Sequence, residues 1–206
     1  MKKDLTSITV VVDRSGSMAD VRVEAEGGIN TFIREQAELP GDALFTLVQF
    51  DTEHETVCDC TPIKDVPPYK LIPRGMTALL DAVGRAVNVT GERLAAMKDK
   101  KRPAKVAFVI ITDGHENSSH EFTKEQINAL ITAKQADGWQ FTFLGADAQA
   151  FDDAKSLGIS AAQTAQYDSA KVGHTFSAVS ASLTSFRSGT SDSLAYTGKQ
   201  RDSMRK

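Results

Sequence analysis

Ile8-Thr9-Val10-Val11-Val12-Asp13-Arg14-Ser15-Gly16-Ser17-Met18 carries the clearest statement of the fold. Its first half is β-branched and continuously apolar, without the polar alternation of a half-exposed strand. Residues 5–12 therefore predict a strand covered on both faces. Its second half turns to serine and glycine, the residues of a tight turn. A doubly buried strand released into a polar turn is how a parallel sheet with helices on both sides begins.

The remaining chain extends this pattern. Ala25, Ile29, Phe32, Ile33 and Ala37 form a helical stripe ended by Pro40-Gly41. Residues 44–50 and 55–60 read as a hairpin whose second strand is antiparallel and lies at the sheet edge. Residues 61–76 hold four of the six prolines and predict a loop that delivers Thr77 to the start of a helix. That helix carries Leu79, Leu80, Val83, Val87, Leu94 and Met97 on one stripe. Residues 105–112 form a second continuously apolar strand, expected beside the first at the sheet centre. Thr123 and Gln126 fit a capping box, Ile127, Leu130 and Ile131 a buried stripe, and Gly138 a helix stop. A strand over 139–144, a short helix over 148–157 and a last strand over 159–167 follow. Asp168 is then expected to cap a helix carrying Val172, Phe176, Val179, Leu183 and Phe186. Strand alternating with helix predicts a three-layer α/β sandwich on a mostly parallel sheet, with one antiparallel edge strand. The expected organisation is one domain over 1–186 and a flexible polar tail over 187–206.

The 206 residues carry 24 Lys and Arg against 27 Asp and Glu, a formal net charge of −3. This balance gives no basic field for nucleic-acid phosphates, and no apolar run approaches the ~20 residues that cross a bilayer. Nucleic-acid and membrane partners are therefore not expected. Met1-Lys2-Lys3-Asp4 leads straight into a strand without an apolar secretory segment, and Cys58 and Cys60 are poorly placed to pair with each other. The expectation is a cytoplasmic protein.

In an open parallel sheet, ligands bind beyond the carboxyl ends of the strands, where the strand order reverses. Asp13, Ser15 and Ser17 follow the first strand, and Asp113 follows the strand ending Ile110-Ile111-Thr112. Thr77, on a third loop, can reach the same edge. Alone, Asp-x-Ser-x-Ser also describes a strand-end aspartate with turn-forming serines; the three loops together favour a site. Every one of these side chains offers oxygen, which favours Mg²⁺, Mn²⁺ or Ca²⁺ over zinc or copper. Two aspartates held close at an apolar sheet end repel each other, and a divalent ion cancels both charges.

These residues resemble the metal-ion-dependent adhesion site of von Willebrand factor type A (vWA) domains. Val12-Asp13-Arg14-Ser15-Gly16-Ser17-Met18 matches its first segment, Thr77 its threonine and Asp113 its second aspartate. The resemblance spans about residues 5–186. Phe143-Leu144-Gly145-Ala146-Asp147 and Ser156-Leu157-Gly158-Ile159 look like small stand-alone bacterial and phage members. The resemblance implies a Rossmann-like vWA fold, bound Mg²⁺ and recognition of a protein partner, commonly through a partner carboxylate completing the metal's coordination. By that implication Ser15, Ser17 and Thr77 are direct ligands, while Asp13 and Asp113 act directly or through water. It implies a binding module and no enzyme.

Two enzyme readings compete with it. Asp13 as a phosphoryl acceptor would usually have a second aspartate two residues on, where this chain has Ser15. Ser15 or Ser17 as a nucleophile would need a base in reach, and His115 is the nearest by topology. A purely structural ion joining the three loops is a further alternative. The string His115-Glu116-Asn117-Ser118-Ser119-His120 is one residue too long for a zinc-protease helix, so it reads as a polar loop bordering the site. His54, Cys58 and Cys60 share strand parity but lack a fourth ligand. The tail's Lys199, Arg201, Arg205 and Lys206 read as a solvated terminus or a modest docking arm for an acidic partner.

Overall fold

The computed structural model describes residues 1–146, 149–167 and 172–205. Among these, six strands form one sheet in the order β3-β2-β1-β4-β5-β6. They are β1 (Lys2–Asp13), β2 (Asp42–Phe50), β3 (His54–Pro62), β4 (Pro103–Thr112), β5 (Gln140–Gly145) and β6 (Thr164–Gln166). Only the β2–β3 pair is antiparallel, so the hairpin stands at the edge as its turn residues predict. Six helices flank the sheet: α1 (Arg22–Glu38), α2 (Leu79–Ala96), α3 (Lys124–Ala136), α4 (Ala150–Ser156), α5 (Val172–Ser188) and α6 (Gly198–Arg205). The molecule is a three-layer α/β sandwich.

Every residue of β1 from Leu5 to Asp13 is buried, which is why the segment needs no polar alternation. Its side chains divide by parity between two cores. Val10 and Val12 meet Phe32, Phe45, Phe176 and Leu183 on the side of α1 and α5. Val11 faces the other way, with Val83, Val87, Phe108, Ile127 and Ile131. On that second face the Phe108 ring stacks between Trp139 and Phe141, with centroids 5.6 and 5.1 Å away. Thr123 caps α3 with the reciprocal Gln126 bond of a capping box, and Gly138 follows with a φ of +87°.

Several expectations change. Described residues of the segment expected as a flexible tail are packed on the domain. Ser188 closes α5, and the chain then returns to lay Leu194, Tyr196 and Met204 into the α1/α5 core, with exposures of 1, 6 and 0%. Tyr196 shares a 2.6 Å hydrogen bond with Thr142 of β5, and Arg201 donates to the Ala162 carbonyl at 2.8 Å. Three apolar residues in a polar run show no helical period, but they join the core cluster of Phe176, Val179 and Leu183 and so anchor the segment. Thr77 does not start α2; the helix begins at Leu79, and Thr77 lies in the loop two residues before it. The loop before it is not wholly solvated, since Ile63, Tyr69 and Leu71 are buried. The last strand shrinks to Thr164–Gln166, although Ile159 and Tyr167 at the expected ends are buried. Cys60 adopts a φ of +49° beside a register shift, which breaks the parity expected for His54, Cys58 and Cys60. Asp147 and the capping position Asp168 lie outside the described residues.

Candidate metal centre

β1 and β4 are hydrogen-bonded neighbours whose chain connections leave in opposite directions, so the cleft between their carboxyl ends is the switch point of the sheet. Asp13 ends β1 and Asp113 follows β4. Their side chains are linked through the Ser15 N–H and the Ser15 and Ser17 hydroxyls. Ser17 Oγ donates to Asp113 Oδ1 at 2.7 Å. Ser15 Oγ lies 3.1 Å from Ser17 Oγ, and because Ser17 has given its proton to Asp113, Ser15 is the donor of that pair. Asp13 Oδ1 accepts the Ser15 N–H at 2.7 Å, and Asp13 Oδ2 accepts the Thr112 hydroxyl at 2.6 Å.

Thr77 enters from the third loop. Its N–H donates to Asn117 Oδ1 at 2.9 Å while its carbonyl accepts the Asn117 N–H at 3.1 Å. Gly114 marks the point where the loops meet: a Cβ there would stand 2.9 Å from Thr77 Oγ1, 3.6 Å from Asp13 Oδ2 and 3.6 Å from Ser17 Oγ. Oxygens from three loops thus surround space that a side chain at 114 would fill. All five residues singled out in the sequence converge here.

Asp13 is fully buried and Asp113 half-buried. Burial pushes the Asp13 carboxyl above its ordinary range, against the hydrogen bonds from Thr112 and Ser15 that pull it down. Burial likewise pushes Asp113 up to about 6, with the Ser17 hydroxyl opposing the rise and the Asp13 charge adding to it. Tyr167, buried beneath them, donates to the Thr112 carbonyl at 3.3 Å; burial and the two aspartates keep its phenol protonated. Among the described residues neither aspartate has an ion-pair partner. Arg14, between two of the site residues, turns away and gives its guanidinium to Asp51 and Glu55. One fully buried and one half-buried carboxylate, with no ion-pair partner among the described residues and with neutral hydroxyls beside them, fit a hard divalent ion.

Sequence reasoning named neither Thr112 nor Gly114 nor Asn117 as part of the site. Thr112 is reachable only through the lateral pairing of β4 with β1, which places it beside Asp13. The loop 115–120 borders the site and locks α2. Glu116 accepts the Leu80 N–H at 2.9 Å at the helix N-terminus, and Asp81 accepts the N–H groups of His120, Glu121 and Phe122. Among the described residues no group of three or more His, Cys, Asp or Glu is arranged to hold a metal, which leaves the hydroxyl-rich cluster as the candidate.

No protein-family model matches the sequence. No curated protein sequence matches it either. Solved structures do. The vWF domain of the type V pili tip protein Mfa5 from Porphyromonas gingivalis superimposes with a TM-score of 0.62 at 12% identity, over 89% of this chain and 96% of that one. Proximal thread matrix protein 1 from the mussel byssus gives 0.60 at 14% identity over 89% of this chain. This chain spans about half the length of the mussel protein, 47%. A form of that protein with a zinc-occupied MIDAS motif gives 0.58 at 14% identity, over 85% of this chain and 47% of that one. A von Willebrand factor type A structure from Catenulispora acidiphila gives 0.55 at 15% identity, over 89% of this chain and 43% of that one. At such identities the likeness is one of fold.

Proposed function

The chain has the von Willebrand factor type A fold, and from that premise we propose that it is a metal-dependent protein-interaction module without catalysis of its own. Asp13, Ser15, Ser17, Thr77 and Asp113 would hold a divalent cation, Mg²⁺ by the chemistry of oxygen donors. Bound there, the ion supplies a positive charge that an acidic side chain of a protein partner can complete. The observation that supports this reading is the fully buried Asp13 and half-buried Asp113 at the switch point, linked through the Ser15 N–H and the Ser15 and Ser17 hydroxyls, with the Thr112 hydroxyl on Asp13 and no ion-pair partner among the described residues. Three neutral hydroxyls and two aspartates balance the ion's charge without exceeding it, so it stays attractive to an incoming carboxylate. The zinc-occupied motif of the mussel protein supports divalent metal binding on this fold. Among the described residues no helix is long and apolar enough to cross a membrane. Free Cys58 and Cys60 accord with a reducing cytoplasm.

Calorimetric Mg²⁺ titration tests the site. The protein binds Mg²⁺ and gains thermal stability, by ~2.7 kcal/mol at a hundred times Kd, whereas Asp13→Ala loses both. Unchanged Mg²⁺ binding in Asp13→Ala overturns the assignment. For recognition, partners are captured in Mg²⁺ and in EDTA; a partner set indifferent to the metal reduces the ion to a structural joint. Phosphatase turnover that disappears in Asp13→Asn would instead favour Asp13 as a phosphoryl acceptor.

A further inference from the structure

We infer that Asp51, which lies outside the metal motif, is the positioning residue that holds the loop bearing Ser15 and Ser17 against the loop bearing Thr77. The inference rests on the metal-site reading above and extends it by a residue that touches no proposed ligand oxygen.

Asp51 follows β2 and is 2% exposed. Its Oδ2 accepts Arg14 Nε and Arg74 Nε, each at 2.8 Å, and its Oδ1 accepts the Glu53 N–H at 2.7 Å. Its carbonyl accepts the Ala78 N–H at 3.0 Å. One residue therefore grips the neighbour of Ser15, the neighbour of Thr77 and the approach to Gly75. Two backbone bonds run between the same loops: Arg74 N–H to the Arg14 carbonyl at 2.7 Å, and Gly16 N–H to the Gly75 carbonyl at 3.2 Å. Gly75 makes the close passage possible with a φ of +70°; a Cβ there would lie 3.1 Å from Asp51 Cβ. Arg14 is anchored at its other end by Glu55, which also accepts Gln49, and Gln49 in turn accepts the buried Tyr69 hydroxyl.

Two consequences reach the metal site. Neutral hydroxyls are weak donors, so their affinity for an ion depends on being held at the right spacing beforehand. The second consequence is electrostatic. Arg14 sits between Asp13 and Ser15, where an uncompensated guanidinium would oppose a bound cation. Asp51 and Glu55 together offset that charge, and Asp51 remains ionised to do so: burial pushes its carboxyl up, but the Glu53 N–H, the Arg74 hydrogen bond and the charges of both arginines outweigh it.

The test combines amide exchange with Mg²⁺ titration on Asp51→Asn. Removing one partner of a buried ion pair is strongly destabilising, so Arg74→Gln, whose side chain is half-exposed, is the second variant. In both, the Gly16 and Arg74 amides are expected to exchange faster while Val109 and Ile110 at the sheet centre stay protected. The Mg²⁺ Kd is expected to rise about 10- to 100-fold in Asp51→Asn, and by less in Arg74→Gln. A merely structural role lowers the melting temperature but leaves the Kd of the folded variants alone. Unchanged exchange at Gly16 and Arg74, or faster exchange with an unchanged Kd, overturns the inference. If the unsubstituted protein binds no Mg²⁺, the metal reading itself fails and this inference with it, an outcome visible before any substitution is made.

Discussion

Thr112 places its hydroxyl 2.6 Å from Asp13 Oδ2, so the residue immediately before one proposed ligand orients the other across the β1–β4 boundary. Thr112→Val keeps the shape of the side chain and removes that donor. Asp13, already pushed above its ordinary range by burial, then loses the first of the interactions opposing the rise. The expected result is a Mg²⁺ affinity lower by about 10- to 100-fold, read by calorimetry, with the sheet intact by circular dichroism. An unchanged affinity would show that Asp13 needs no support from β4.

The raised carboxyls also set a pH dependence with a definite sign. Asp113 titrates at about 6 in the folded protein and at ~3.9 when unfolded. Between those values the folded state binds the extra proton, so this group's contribution to metal-free stability increases as pH falls from about 6 towards 4. Mg²⁺ competes with that same proton. Its stabilising effect should be full above about pH 6 and shrink as pH drops through it. Thermal melts from pH 5 to 8, with and without Mg²⁺, test both trends; a Mg²⁺ effect that stays constant across the range counts against Asp113 as part of the site.

Gly114 gives a steric counterpart. The Cβ of Gly114→Ala would stand 2.9 Å from Thr77 Oγ1, closer than side chains tolerate, in the space the oxygens surround. Relief requires the Thr77 hydroxyl to move from its place, at a cost of roughly 1–3 kcal/mol. The variant is expected to fold and to lose metal affinity more than it loses stability. Equal Mg²⁺ Kd values for Gly114→Ala and the unsubstituted protein would place the ion elsewhere.

What could be read in advance follows from how local each feature is. The doubly buried β1, the Thr123 capping box and the strand-end positions of Asp13 and Asp113 are visible because a few adjacent residues determine them. The convergence of five oxygen-bearing residues on one edge was legible too, since strand order alone brings the loops together. Thr112, Asn117 and Asp51 were not, because each acts through a partner on another element. Thr112 needs the lateral register of β4 on β1, and Asp51 needs the packing of residues 74–78 over the end of β2. Burial of Leu194, Tyr196 and Met204 is likewise a tertiary outcome, invisible in a segment dominated by serine and charge.

Met204 provides the stability test of that last point. It is fully buried in the α1/α5 core. A solvated tail predicts no effect of Met204→Ala. A packed α6 predicts a loss of about 2–5 kcal/mol from the vacated volume, a large share of the roughly 5–15 kcal/mol that holds a domain together. Urea denaturation reads the difference directly as a lower midpoint with a similar slope. Tyr196→Phe separates packing from polarity, since it keeps the ring and removes the hydrogen bond to Thr142. Its expected cost is about 0.5–1.5 kcal/mol, smaller than that of Met204→Ala. Because α6 packs against α5 and β6, both variants should retain the Mg²⁺ affinity of the parent at temperatures where they remain folded. A Met204→Ala protein as stable as its parent would return the segment 187–206 to the solvent.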